Sequence, residues 1–305
     1  MAAQVTLVSV VIPTRDRPEL LRRAIDAVTA QEHDGPIEVV VVYDRSTPDL
    51  TPARSSSDRT VRVLVNDRKP GLAGARNTGI LAAQGDFVGF CDDDDEWLPG
   101  KLKAQLAALE ATGGDFACCG IRVTYDGTEF DRVLPLDRIP LAALLRDRMT
   151  ELHPSTFLMR ASALHDGIGL VDEEIPGSYA EDYEFLLRAA RHAPLVNVRE
   201  PGTIVRWHRS SYFSQRWQTI SSALRWLLER YPEFEQEPAG LARVAGQIAF
   251  AEAAQGRSRA AAHWARRTLA GNSREPRAYL AMAVAGRLIR PGTVVRILHK
   301  RGRGI

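Results

Sequence analysis

The residues with the most chemistry in them are Asp92, Asp93, Asp94 and Asp95, four carboxylates in a row, followed by Glu96 and Trp97. Charges this close repel one another, which raises their pKa values and strains a fold unless a cation neutralises them. An apolar run, Phe87 to Cys91, precedes the acids, and Trp97 and Leu98 follow them, so they stand at the end of a buried strand and not in a solvated loop. If strand geometry persists, period-two alternation puts Asp92 and Asp94 on one side. Such a pair offers hard oxygen donors to Mg2+ or Mn2+, which keep further positions for water and phosphate oxygens. A calcium EF-hand loop fits poorly, because Trp97 stands where its turn needs glycine.

A second acidic pair, Glu181-Asp182, opens a helical pattern made by Tyr183, Phe185, Leu186 and Leu187. A helix dipole favours carboxylates in its first turn whatever their chemistry, so the pair alone reads equally as structural or functional. His153-Pro154-Ser155-Thr156 and Arg206-Trp207-His208 add two histidines, each on its own more often structural than a ligand. No Ser/His/Asp or Cys/His set is evident that would form a covalent intermediate. Cys91, Cys118 and Cys119 are odd in number and lack ligand spacing, which suits a reducing compartment better than a disulfide framework.

These residues need a scaffold. Val8 to Ile12, Ile37 to Val42, Val61 to Val65 and Phe87 to Cys91 are apolar runs of strand length. Between them lie a helix after Pro18, with Leu20, Leu21, Ala24, Ile25 and Val28 on one face, and a helix whose Ala75, Gly79, Ala82 and Ala83 can approach a sheet closely. Strands alternating with helices predict βαβ units and a mainly parallel sheet, with ligands bound beyond the carboxyl ends of the strands. Further on, a helix through Leu98, Leu102, Leu106 and Leu109, strands over Phe116 to Tyr125 and Ser155 to Met159, and a helix over Tyr179 to Arg191 are expected. After Gln215 the pattern is helical only, through Trp217 to Leu228 and three alanine-rich segments near 241–255, 258–270 and 276–289, which suit packing or oligomerisation.

Composition is that of a globular protein, 45% apolar and 26% charged over 305 residues, and a net charge of +2 does not argue for a nucleic-acid partner. No Asp or Glu follows Glu275, whereas Arg277, Arg287, Arg290, Arg296, Lys300, Arg301 and Arg303 do, a basic tail that reads first as a solvated helix and frayed end and otherwise suits an anionic membrane surface or an acidic partner. Val5 to Ile12 reads as a buried strand and not as a signal peptide, and no apolar run reaches spanning length. A cytoplasmic location, peripheral to the inner face of the membrane, is expected.

Four segments then appear in a recognisable order: Val10-Val11-Ile12-Pro13-Thr14-Arg15 with Arg17 and Pro18; Val39 to Val42 with Tyr43-Asp44-Arg45-Ser46; Asn66 and Gly71 with Ala75-Arg76-Asn77 and Gly79; and Phe90 with Asp92 to Asp95, Trp97 and Pro99. Together they resemble the family 2 glycosyltransferases, over roughly residues 7–210. The resemblance implies the glycosyltransferase A fold, a Rossmann-like α/β sheet, with residues 1–214 catalytic (a donor half to about 112, an acceptor half from about 113) and 215–305 a helical extension. It implies an inverting transferase that moves a sugar from a nucleotide-diphosphate donor, by default UDP-linked, to a hydroxyl of a glycan, a lipid-linked or a small-molecule acceptor in envelope polysaccharide synthesis, with Mn2+ or Mg2+. Pro13, Thr14, Arg15, Asp44 and Arg76 would hold the donor, Asp92 and Asp93 would lie by the ribose and hydrated metal, and Asp94 would bind the metal, with Asp92 and His208 as further candidates. Asp182 would be the catalytic base, and Glu181, His153 and Arg206 would line the acceptor side. The sequence departs from the family where Tyr43 and Arg45 replace an Asp and a Gly.

Two other readings compete. A sugar nucleotidyltransferase would need a glycine-rich loop after the first strand, where Pro13-Thr14-Arg15-Asp16-Arg17-Pro18 stands instead. A non-catalytic nucleotide-sugar-binding scaffold would use the C-terminal helices for partners, but Asp44, Asp94 and Asp182 are intact.

Overall fold

The computed structural model describes residues 6–207 and 216–300, without the side chains of 298–300. His208 and the end of the basic tail lie outside the described residues. The first strands are continuous apolar runs because both of their faces are covered: β1 (Val8–Thr14) and β2 (Ile37–Tyr43) are buried at every position. Helix α1 (Pro18–Thr29) packs Leu21, Ala24, Ile25 and Val28 inward, and β3 (Arg59–Val65) closes this edge. Helix α2 (Leu72–Ala82) has small residues where it meets the sheet, and a Cβ added at Gly79 would lie 2.2 Å from Val11 Cγ1. Any larger residue there would push α2 off β1. Strand β4 (Phe87–Phe90) then pairs in parallel with β1.

The rest of the sheet is β5 (Glu96–Trp97), β6 (Phe116–Tyr125), β7 (Thr128–Arg132), β8 (Arg138–Ile139), β9 (Leu158–Arg160) and β10 (Leu195–Arg206). The helices in this stretch of the chain are α3 (Lys101–Thr112), α4 (Leu141–Arg146), α5 (Ala161–Asp166) and α6 (Glu181–His192). Strand order is β3-β2-β1-β4-β9-β6-β10-β5, with β7 on β6 and β8 on β10. The sheet is parallel from β3 to β4 and mixed beyond, since β9 runs antiparallel to both β4 and β6. The expected strand over Ser155 to Met159 is divided: Pro154–Thr156 forms a 3-10 turn, because proline starts it and Thr156 Oγ1 donates to the His153 carbonyl at 2.7 Å, and only then does β9 begin. Strand β10, long and irregular between Val198 and Thr203, has no periodic signal in the sequence.

Two compact units account for the chain. The first holds the sheet and comprises residues 1–141, 149–173 and 181–207; the second comprises 142–148, 174–180 and 208–305. The second unit is helical, with α7 (Trp217–Arg230), α8 (Pro238–Ala254), α9 (Ser258–Gly271), α10 (Pro276–Ala285) and α11 (Pro291–Lys300). Its core is built from Ala249, Phe250, Ala261, Ala265, Ala278, Ala281 and Val284. A buried Glu252 accepts from Ser221 and pairs with Arg225 at 2.9 Å, fixing α7 on α8. No helix among the described residues is long and apolar enough to cross a membrane.

Candidate functional site

Parallel pairing brings the carboxyl ends of β1, β2 and β4 to one edge, and the residues there are Thr14, Tyr43-Asp44 and Cys91-Asp92. The chain is fixed at this edge by Asp44 N donating to Thr14 O at 3.0 Å and Cys91 N to Val11 O at 3.1 Å. Asp44 Oδ1 accepts from Asn66 Nδ2 at 2.8 Å and from Gly71 N at 3.1 Å. Gly71, at φ +132, has a backbone that only glycine adopts readily. Arg45, where the family usually has glycine, sits at φ +54 and donates to Pro70 O at 2.9 Å. Pro13 stands next to last in β1, opposite Val42.

The four aspartates do not continue the strand. Asp95 N donates to Asp92 O at 3.1 Å, closing a turn, so the period-two pairing of Asp92 with Asp94 does not arise. Each carboxylate has its own direction. Asp93 accepts from Thr14 Oγ1 at 2.7 Å and from Arg15 N at 3.4 Å. Arg17 Nη1 donates to Asp93 Oδ1 at 3.0 Å and to Asp94 Oδ2 at 2.8 Å. Asp92 accepts from Arg76 Nη2 at 2.8 Å, and its N–H donates to Ser155 Oγ at 2.9 Å. Asp95 accepts from Ser155 Oγ at 2.5 Å and lies 3.2 Å from His153 Nδ1.

Arg76 is fully buried, and its other terminal nitrogen, Nη1, donates to Glu181 Oε1 at 3.0 Å. Both terminal nitrogens of the guanidinium are thus held by carboxylates. The side chain joins the acidic turn to the start of α6, where Glu181 and the partly exposed Asp182 stand in the first turn. Asp182 acts electrostatically on Arg76, His153 and Glu181, which puts it in the same charged cluster. Four rings hold the parts together: Phe90 before the turn, Phe116 on β6, Phe157 after Ser155 and Phe185 on α6 have centroids 5.1–6.4 Å apart. Arg206 is taken up by Glu96, which also accepts from Arg23 at 2.5 Å, so it braces β10 against β5.

The electrostatics follow from this crowding. Burial, reinforced by Asp92 and Asp95 and opposed by Arg17, pushes Asp94 up to about 6. Burial and then Asp182 push Glu181 up as well, against Arg76. Burial alone would lower His153, but Asp95, with help from Asp92 and Asp182, raises it to about 9. Carboxylates that hold protons this readily are short of positive charge, and their hard oxygens suit a divalent cation. Asp92, Asp95 and His153 also bring ligand atoms within 4.8 Å of one another, a grouping of Asp95 and His153 that the spacing of the sequence did not signal. Arg17 and Ser155 are further contributors whose partners become visible only in the fold.

A match to glycosyl transferase family 2 covers residues 9–168. The succinoglycan biosynthesis protein ExoO of Rhizobium meliloti is 36% identical over 123 residues, 39% of this chain and 35% of that protein. The chain spans 61% of the length of the Bacillus subtilis glycosyltransferase EpsJ, to which it is 28% identical, and 35% of the length of ExoO. Among solved structures, S. aureus TarS 1–349 in complex with UDP-GlcNAc has a TM-score of 0.61 at 17% identity, covering 97% of this chain and 92% of that one. The mannosyltransferase PcManGT of Pyrobaculum calidifontis, in complex with GDP-Man and Mn2+, has a TM-score of 0.57 at 18% identity, covering 97% and 84%. At such identities the likeness shows the fold, which is that of the glycosyltransferase A type.

The His153–Asp95 pair gives a pH test. A histidine raised from 6.5 to about 9 contributes stability that is complete below pH 6.5 and is lost as pH rises through about 9. With divalent cations chelated, the urea midpoint should fall across that window, and His153→Asn should flatten the fall. An equal slope in the variant would show that the pair carries no such linkage.

Proposed function

The chain belongs to glycosyl transferase family 2, and on that premise we propose that its first unit transfers a sugar, with inversion, from a UDP-linked or other nucleotide-diphosphate donor to an acceptor hydroxyl. The observation that carries this reading is the Arg76 bridge between Asp92 and Glu181, which sets an acidic turn and the Asp182 carboxylate in one cluster at the carboxyl edge of the sheet. In the donor half, residues to about 112, Pro13, Thr14, Arg15 and Asp44 take the nucleoside, with Asp44 already oriented by Asn66 and Gly71. Asp92 and Asp93 would hold the ribose and the hydrated metal. Arg76 serves as the positioning residue that holds Asp92.

Asp94, with Asp92 beside it, would hold Mn2+ or Mg2+; the ion supplies Lewis-acid stabilisation to the leaving diphosphate. His153 is a further candidate ligand through its grouping with Asp92 and Asp95. In the acceptor half, from about 113, Asp182 takes the proton from the attacking hydroxyl, a general-base role worth on the order of 10²–10⁴-fold. Glu181, held by Arg76, lines the acceptor side beside it, and displacement at the anomeric carbon needs no covalent sugar intermediate. The kinship to a succinoglycan biosynthesis protein supports a glycan acceptor of an envelope polysaccharide.

The second unit supports a contact with the inner face of a membrane. Tyr279, Met282, Leu288, Ile289 and Ile297 are exposed there, interspersed with Arg277, Arg287, Arg290 and Arg296, a mixture that suits anionic lipid. Sedimentation with anionic vesicles should be lost on removing residues 290–305, and undiminished sedimentation would refute the contact.

Asp182→Asn tests the chemistry. Donor affinity should be unchanged while transfer falls by about 10²–10⁴-fold, and retained turnover would remove Asp182 from the base role. In Asp94→Ala, donor binding should no longer respond to Mn2+; an undiminished response would place the metal elsewhere.

A further inference from the structure

Arg17 has no role in the mechanism above, yet it touches the carboxylate assigned to the metal. Three cations surround the acidic turn, and they differ in how firmly they are held. Arg76 is buried and anchored at its far side by Glu181. His153 is fixed in the segment that starts the 3-10 turn before β9. Arg17 stands at the start of α1, half exposed, and reaches over from the loop after β1. It donates through a single nitrogen, Nη1, to both Asp93 Oδ1 and Asp94 Oδ2. Among the described residues, no other cation is bonded to Asp94.

A divalent ion on Asp94 needs electron density that Arg17 already draws on, and two cations at one carboxylate repel. The half-exposed guanidinium can move, since among the described residues its hydrogen bonds are with the turn alone and part of it is already in water. A diphosphate arriving beside the metal offers it a replacement, because guanidinium and phosphate make strong charge-assisted bonds. We infer that Arg17 competes with the divalent metal for Asp94 and passes to the donor diphosphate when displaced, so that metal and nucleotide bind cooperatively. Arg17 is then a donor-binding residue that keeps the metal from binding tightly by itself. This inference rests on Asp94 as metal ligand, the reading proposed above. Linkage is reciprocal, so the factor by which nucleotide tightens Mn2+ equals the factor by which Mn2+ tightens nucleotide.

The test uses the full chain as wild type, Arg17→Gln and Arg17→Lys. Mn2+ binding is followed by the loss of the free-ion EPR signal, alone and with UDP or GDP, corrected for the nucleotide's own hold on Mn2+. Calorimetric titrations of the same nucleotide with Mn2+ and with a chelator give the reciprocal factor. In wild type the nucleotide should tighten Mn2+ by roughly tenfold, within the usual range of coupling. Arg17→Gln should bind Mn2+ alone roughly three- to fivefold tighter, the scale of a half-exposed ion pair, and should lose most of the nucleotide enhancement. Arg17→Lys, which keeps the charge without the planar fork, should fall between the two. Mn2+ binding in Arg17→Gln that is no tighter than wild type, or an undiminished enhancement, overturns the inference. Asp94→Asn separates the two readings: if it binds Mn2+ like wild type, Asp94 is not the ligand and both fail. If it loses Mn2+ while Arg17→Gln behaves as wild type, only the competition fails.

Discussion

Four adjacent carboxylates at the end of a buried strand cannot share one environment, and much of the first unit is arranged to separate them. A turn from Asp92 to Asp95 separates the side chains, and each is neutralised or hydrogen-bonded: Asp92 by Arg76, Asp93 by Thr14 and Arg17, Asp94 by the same Arg17, Asp95 by Ser155 and His153. A buried charge deprived of its partner costs several kcal/mol, so these pairings constrain the elements that supply the partners. Helix α2, the start of α1 and the turn before β9 are drawn to one place by the need to neutralise one turn, and Glu181 at the start of α6 joins them through Arg76.

The hydrocarbon scaffold works to the same end. Gly79 lets α2 come close to β1, and without that approach Arg76 would not reach Asp92. The rings of Phe90, Phe157 and Phe185 pack against one another, and each belongs to a segment bearing a charged member of the cluster nearby. Apolar packing therefore sets the separation of the acidic turn from Asp182, and the ion pairs set the orientation. That division suits the inverting displacement proposed for this chain, in which leaving group and base must be held apart while a sugar lies between them.

The elements with strong periodicity could be read directly. Strands β1 to β4 and β6, the inward face of α1, the small-residue face of α2 and the alanine-rich helices of the second unit follow from apolar spacing alone. Strands β7 and β8 could not be found, since Thr128–Arg132 is mostly exposed and Arg138–Ile139 is two residues long. Within the site, the residue types were legible and their partners were not. An arginine on a small-residue helix can reach to solvent or inward, and Arg76 goes inward because two carboxylates from distant segments meet it there. The turn sets Asp95 against His153, a pairing across dozens of residues that no local spacing encodes.

A thermal-shift screen of nucleotide sugars, with Mn2+ and with a chelator, asks most directly whether this edge of the sheet is a metal-assisted donor site. A ligand that binds only the folded state adds about 2.7 kcal/mol at a hundred times its dissociation constant. At least one nucleotide sugar should raise the melting temperature when Mn2+ is present and lose that effect in the chelator. A flat response to every nucleotide sugar under both conditions would contradict the assignment of the acidic turn to a nucleotide-diphosphate donor.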